Sequence, residues 1–188
     1  TITSSVEGVG HFEPLRHYAE VHLYLEPLNQ GEGLQFVNNC QNNLPEHYQR
    51  LIMTHLQEKE HLGVLSGSPI TDMRITLLGG KAHDKHTEGG DFREATYRAI
   101  RQGLKSTTSI LLEPYGHYTL VIPSMHLSKA FYDFENYDTP RVEDDDGTIA
   151  ILKGEAPLRF LSDYKLSVLH YTKGEGSLMI EEVVYSEV

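Results

Sequence analysis

The 188 residues carry 27 acidic and 16 basic side chains, a formal charge of −11. That excess argues against a protein that coats nucleic acid over its whole surface. The length allows one large domain or two small ones, each able to bury a core, and no run of eighteen apolar residues occurs, so no span of a membrane is expected.

The charge is uneven. Residues 1–115 carry 10 basic and 14 acidic side chains, and residues 116–188 carry 6 and 13. An RNA contact would therefore be a local patch in the first part. The single Cys40 cannot close an internal disulfide, which suits a reducing cytoplasm. The opening Thr1-Ile2-Thr3-Ser4 has neither methionine nor a signal-peptide pattern, and reads as the start of a piece cut from a longer protein.

In chain order, Gly8-Val9-Gly10 reads as a turn, with a further strand before Gly8 left open. Residues 18–26 alternate: Ala19, Val21, Leu23 and Leu25 point one way, and Tyr18, Glu20, His22 and Glu26 the other, the period of a half-buried strand. Asn29 to Gly33 reads as a turn and Leu34 to Val37 as a second strand. Pro45 suits a first helical turn, and Tyr48, Leu51, Ile52 and Leu56 follow helical spacing to about His61. After an irregular connection from Gly63 to Thr71, Met73, Ile75 and Leu77 alternate with Arg74 and Thr76 as a third strand ending at Gly79-Gly80. Asp91 with Glu94 has the pattern of a capping box, so a helix is expected to begin there. Its buried stripe is Phe92, Ala95, Ala99, Ile100 and Leu104, while Glu94, Arg98, Arg101 and Lys105 lie along another face.

Ile110 to Pro114 marks a junction, which predicts an α+β chain of two domains, 1–113 and 114–188. The first reads β-β-α-β-α. In the second come a strand (Tyr118 to Ile122), a helix carrying Leu127, Ala130, Phe131 and Phe134, and a hairpin turning at Asp146-Gly147 with Thr148 to Leu152 as its return strand. A helix from Leu158 to about Tyr164, a turn at Lys173 to Gly176 and a strand from Leu178 to Val184 complete a β-α-β-β-α-β, ferredoxin-like order.

Little in the sequence points to bond-making chemistry. His83 and His86 at i, i+3 could share a metal, but no third ligand follows at a recognisable spacing. Glu143 to Gly147 lacks the alternating ligands of a calcium loop and reads as a solvated hairpin turn. No lysine followed by Ser or Thr closes Gly8-Val9-Gly10 or Gly31-Glu32-Gly33 into a phosphate loop. Two polar loops at strand ends remain, Gly8 to Arg16 and Lys81 to Arg93. Together they present His11, Arg16, Lys81, His83, Lys85, His86 and Thr87, residue types suited to phosphates and bases. A pair of plain solvated loops is the alternative.

Glu20 to Leu28, then Gly31-x-Gly33 and Asp72 to Leu77, resemble the fourth domain of elongation factor G. Ile110 to Pro114 is similar to its passage into the fifth domain, and Gly147 to Gly154 with Thr172 to Ser177 to that domain's second half. Leu111 to Tyr115 and Gly90 to Arg93 are most similar to the tetracycline ribosomal-protection branch. The resemblance spans nearly the whole chain. It implies a parent translational GTPase that binds the ribosome near the A site and uses GTP and magnesium, with the GTP-binding domain outside these residues, where no P-loop occurs. It further implies a monomeric, cytoplasmic fragment without cofactor or catalytic residue. The first domain's tip would reach ribosomal RNA or tRNA at the small-subunit decoding region, and the second would dock at the large-subunit factor-binding site. His83 falls where elongation factor G has a tip histidine, counting back from Phe92. His86-Thr87-Glu88-Gly89-Gly90 departs from the proline- and serine-rich tip of the resistance branch. A translocation or recycling factor, and more remotely a His-dependent metal enzyme, therefore stay open.

Overall fold

The structure, a computed structural model, describes all 188 residues and divides into two compact units, Thr1–Leu111 and Leu112–Val188. The first contains β1 (Val6–Phe12), β2 (Ala19–Pro27), β3 (Leu34–Asn38), α1 (Glu46–Gln57), β4 (Met73–Ala82) and α2 (Asp91–Lys105). Its four-stranded sheet has the order β1-β2-β4-β3, antiparallel except for the parallel pair β3 and β4. The alternation in β2 works as expected: Ala19, Val21, Leu23 and Leu25 are buried in one core with Met73, Ile75 and Leu77 of β4 and the Phe92, Ala95, Ala99, Ile100 and Leu104 stripe of α2. The register of β2 against β4 slips after His22, which faces Gly79 while Leu23 faces Leu77, leaving Leu78 as a bulge.

Gly8-Val9-Gly10 is strand, not turn, so the unit reads β-β-β-α-β-α. The glycines are there because α2 lies directly against β1. A Cβ on Gly8 would stand 2.2 Å from the Ala99 carbonyl oxygen, and one on Gly10 1.9 Å from that of Ala95. The turn at Gly31 and Gly33 is real, with φ of 86° and 71°.

One helix boundary in this unit also moves. Helix α1 ends at Gln57, and His61, buried beyond it, donates from Nε2 to the Leu56 carbonyl at 2.7 Å, satisfying an end-of-helix acceptor. Helix α2 takes Gly90 as its N-cap, so the expected capping box is absent. Asp91 is its first residue, where a carboxylate meets the positive end of the helix. At the base, Thr3 N–H donates to the Thr108 carbonyl and Ile110 N–H to the Thr1 carbonyl, both at 2.9 Å, with Ile2 bridged to Ser109.

The second unit contains β5 (Leu112–Pro123), a 3-10 turn (Ser124–His126), α3 (Leu127–Phe134), β6 (Arg141–Asp145), β7 (Ile149–Pro157), α4 (Leu158–Tyr171) and β8 (Ser177–Glu187). Its sheet order, β6-β7-β5-β8, is that of the split βαβ arrangement. The division falls two residues before the expected boundary, because Leu112 and Glu113 pair with Glu187 and Ser186 of β8. Pro114 does not break β5; it sits opposite Tyr185. Helix α4 runs to Tyr171, burying Leu161, Tyr164 and Val168.

Candidate nucleic-acid interface

At the tip of the first unit two loops meet, one joining β1 to β2 and the other joining β4 to α2. Their backbones are stapled together. Tyr18 N–H donates to the His86 carbonyl at 3.1 Å, and the Thr87 hydroxyl donates to the Tyr18 carbonyl at 2.7 Å while accepting from His83 N–H at 2.6 Å. His86 and Thr87 N–H both return to the His83 carbonyl, at 3.1 and 3.0 Å, closing a tight turn over Asp84 and Lys85. Beneath it, Asp91 is only 3% exposed. It accepts from Glu88 N–H at 2.9 Å and meets His17 Nδ1 at 2.8 Å, so the start of α2 anchors both loops.

What this leaves outward is His83, Lys85 and His86, all exposed, with the two imidazoles stacked at 4.6 Å between centroids and 21° between planes. Lys85 N–H donates to His83 Nδ1 at 3.2 Å, so in the neutral ring the proton sits on Nε2, which is the donor left for a partner. Arg16 is exposed on the neighbouring loop in a left-handed conformation (φ 68°), a strained position for a side chain on a tight turn. Thr87 serves differently from its neighbours. Its hydroxyl is engaged on both sides, which makes it the clamp of the tip.

His11 and Lys81 lie further down, on the strands. Both flank Glu20, a residue 6% exposed whose carboxylate gathers His22 Nε2 at 2.8 Å, the Tyr18 hydroxyl at 3.1 Å, Lys81 Nζ at 3.7 Å and His11 Nε2 at 3.8 Å. Burial opposes ionisation of Glu20, but the hydrogen bonds of His22 and Tyr18 and the charges of Lys81 and His11 outweigh it and hold the carboxyl below its ordinary range. His22, bonded also to Glu7 at 3.1 Å, is opposed by burial in the same way, yet its two carboxylate partners raise it above the usual imidazole value. Lys81 is thus partly neutralised by the protein's own carboxylate.

The sequence reading missed a third loop, Asn39 to Pro45. Asn39 N–H and Gln41 N–H cap the Leu77 and Leu78 carbonyls, and Asn42 Nδ2 reaches the Gly80 carbonyl at 2.8 Å, continuing the edge of β4 where β3 has ended. Between this loop and the tip lies a cavity of about 580 Å³ lined by Tyr18, Asn43, Tyr48, Lys81, His83 and Asp84 among others. The signal available was the amide-rich run Asn38-Asn39-Cys40-Gln41-Asn42-Asn43. A rigid tip of exposed imidazole and ammonium groups beside a cavity with tyrosine and amide walls can contact phosphates and stack or hydrogen-bond an unpaired base.

Known proteins share this architecture. A solved crystal structure from Thermus thermophilus superimposes with a TM-score of 0.85 over 100% of this chain and 29% of its own, at 23% identity, which shows the fold. The tetracycline resistance protein TetP of Clostridium perfringens is 32% identical over 175 residues, 90% of this chain and 26% of that protein. TetO of Campylobacter jejuni is 30% identical over 173 residues, 89% and 26% respectively. The chain thus spans about a quarter of the length of these relatives. Residues 5–108, which hold the tip, the Glu20 network and both helices beneath them, match the family described as elongation factor G, domain IV, and to that family the chain belongs.

Proposed function

We propose that this chain is the ribosome-contacting part of an elongation-factor-G-like translational GTPase, working in the cytoplasm. The observation that carries the reading is the stapled tip, in which Thr87 and Asp91 hold His83, Lys85 and His86 outward as one rigid group. GTP-driven binding of the whole protein would press that group against ribosomal RNA or a bound tRNA near the decoding site, while the second unit docks near the large-subunit factor-binding site. The work is contact and displacement. GTP and magnesium would be held elsewhere in the longer protein, and no helix here is long and apolar enough to cross a membrane. The similarity to TetP and TetO favours ribosomal protection against tetracycline over translocation or recycling. For the metal-enzyme reading, no three His, Cys, Asp or Glu side chains converge as a ligand set.

In the full-length protein, His83→Ala with Lys85→Ala is expected to keep the fold and lower ribosome-dependent activity about tenfold, the ~1.4 kcal/mol of one or two polar contacts. Unchanged activity would remove the tip from the mechanism. Expression of the full-length protein in a tetracycline-sensitive host separates the two parents: no rise in tolerance sinks ribosomal protection.

A further inference from the structure

The tip is not where most of the first unit's cations are. Residues 1–115 hold 10, and five of them, Lys59, Arg93, Arg98, Arg101 and Lys105, lie on α2 or on the segment leaving α1. Arg93 is paired with Glu58 at 3.3 Å. The other four make no ion pair with any carboxylate. Lys59 instead covers the Tyr97 ring at 3.8 Å, and Arg98 lies over Phe12 at 5.2 Å while donating from Nη1 to the His11 carbonyl at 2.9 Å. Arg101 and Lys105 stand exposed.

Between the two segments runs a groove of about 270 Å³, walled by Lys59, His61, Arg98 and Arg101 over Ile100 and Leu104. Glu60 is the only carboxylate lining it, and Glu94 is the other acid on the outward stripe of α2. Four unpaired cations against two acids give a local charge of +2 in a chain of −11. We propose that this flank docks the phosphodiester backbone of RNA as a second contact beside the tip, an inference that rests on reading the tip as RNA-contacting. Arg98, Arg101 and Lys105 follow the i, i+3, i+7 spacing of one helical stripe, so their Cα atoms advance by about 4.5 and 6 Å along the axis. A stripe of cations at such steps tracks a line of phosphates. The contact carries no sequence preference: Tyr97 is covered by Lys59 with its hydroxyl bound to Glu58, and the groove's other ring, His61, is buried with Nε2 on the Leu56 carbonyl. The bond from Arg98 to the His11 carbonyl makes the flank continuous with the tip end of β1.

The test uses the 188-residue chain and a fluorescently labelled RNA hairpin, with anisotropy followed from about 50 to 200 mM salt. The double variant Arg101→Gln/Lys105→Gln is expected to lower affinity about tenfold at the lowest salt and to flatten the log–log salt slope by about 1.5. Arg101→Lys restores it, and circular dichroism stays unchanged, since neither side chain holds the fold. A double variant that binds like the parent at every salt overturns the flank contact, as does failure of the hairpin to bind at all. Loss confined to the tip pair His83→Ala/Lys85→Ala overturns the flank and leaves the tip standing. Binding of the unaltered chain to phosphatidylserine vesicles in place of the hairpin would also overturn it.

Discussion

The two units build similar cores and place their polar groups in opposite ways. In the second, tyrosine hydroxyls close on carboxylates inside: Tyr118 donates to Asp138 at 2.9 Å, and Tyr164 donates to Asp133 at 2.9 Å and meets Tyr171 at 3.0 Å. Burial first, then these partners, push both hydroxyls far above the ordinary phenol range, so both phenols keep their protons. In the first, the Glu7–His22–Glu20 chain lies across the sheet and runs out to Lys81 and His11 at the edge of the tip. One unit therefore uses polarity to fix a core. The other uses it to hold charged groups where a partner can reach them.

The largest way to break this contrast is Gly10→Val. The added carbons would collide with the Ala95 carbonyl and force β1 off α2, costing the first unit about 3 kcal/mol or more. Hydrogen exchange read segment by segment should show the loss in residues 1–111 and leave 112–188 unchanged; equal loosening of both would mean that they unfold together. Tyr118→Phe should do the converse, costing the second unit about 1–3 kcal/mol by removing the donor from Asp138, which keeps only the Glu155 N–H at 3.1 Å. Denaturant titration with a probe in each unit would separate the two. Thr87→Val is expected to cost about 1 kcal/mol and to raise exchange of the amides at 83–88 about fivefold, because the His83 N–H and the Tyr18 carbonyl lose their shared partner.

The smallest effect is one of pH. His22 has its folded pKa raised above 6.5, so its stabilisation is complete below that value and is lost as pH climbs through the folded one. Glu20 has its pKa lowered below 4.5, so its stabilisation is complete above that value and is lost as pH falls through the folded one. Both are therefore fully present between pH 4.5 and 6.5. The melting temperature of the first unit should peak in that window, and Glu20→Gln should flatten the peak. A peak unaltered in Glu20→Gln would assign it to other groups.

Where periodicity was strong, the sequence was legible. The alternation of β2 and of β4 and the stripe of α2 needed no tertiary knowledge, because each element buries one face. Gly8 and Gly10 misled because a glycine chosen for a close helix contact looks the same in sequence as one chosen for a turn. Pro114 misled because an edge of pairing tolerates a residue that elsewhere ends a strand. At the tip, His83, Lys85 and His86 were readable by type. The roles of Thr87, Tyr18 and Asp91 were not, since each acts on a residue distant in the chain: 69 positions separate Thr87 from Tyr18, and 74 separate His17 from Asp91.

At the foot of the first unit, residues 1–3 and 108–110 are laced to each other. The two ends of the unit are tied to each other, so a pull on either strand of that lacing is a pull on both. The lacing ties the start of β1, which follows residues 1–3, to the end of α2, which precedes residues 108–110, so a load there enters both elements at once.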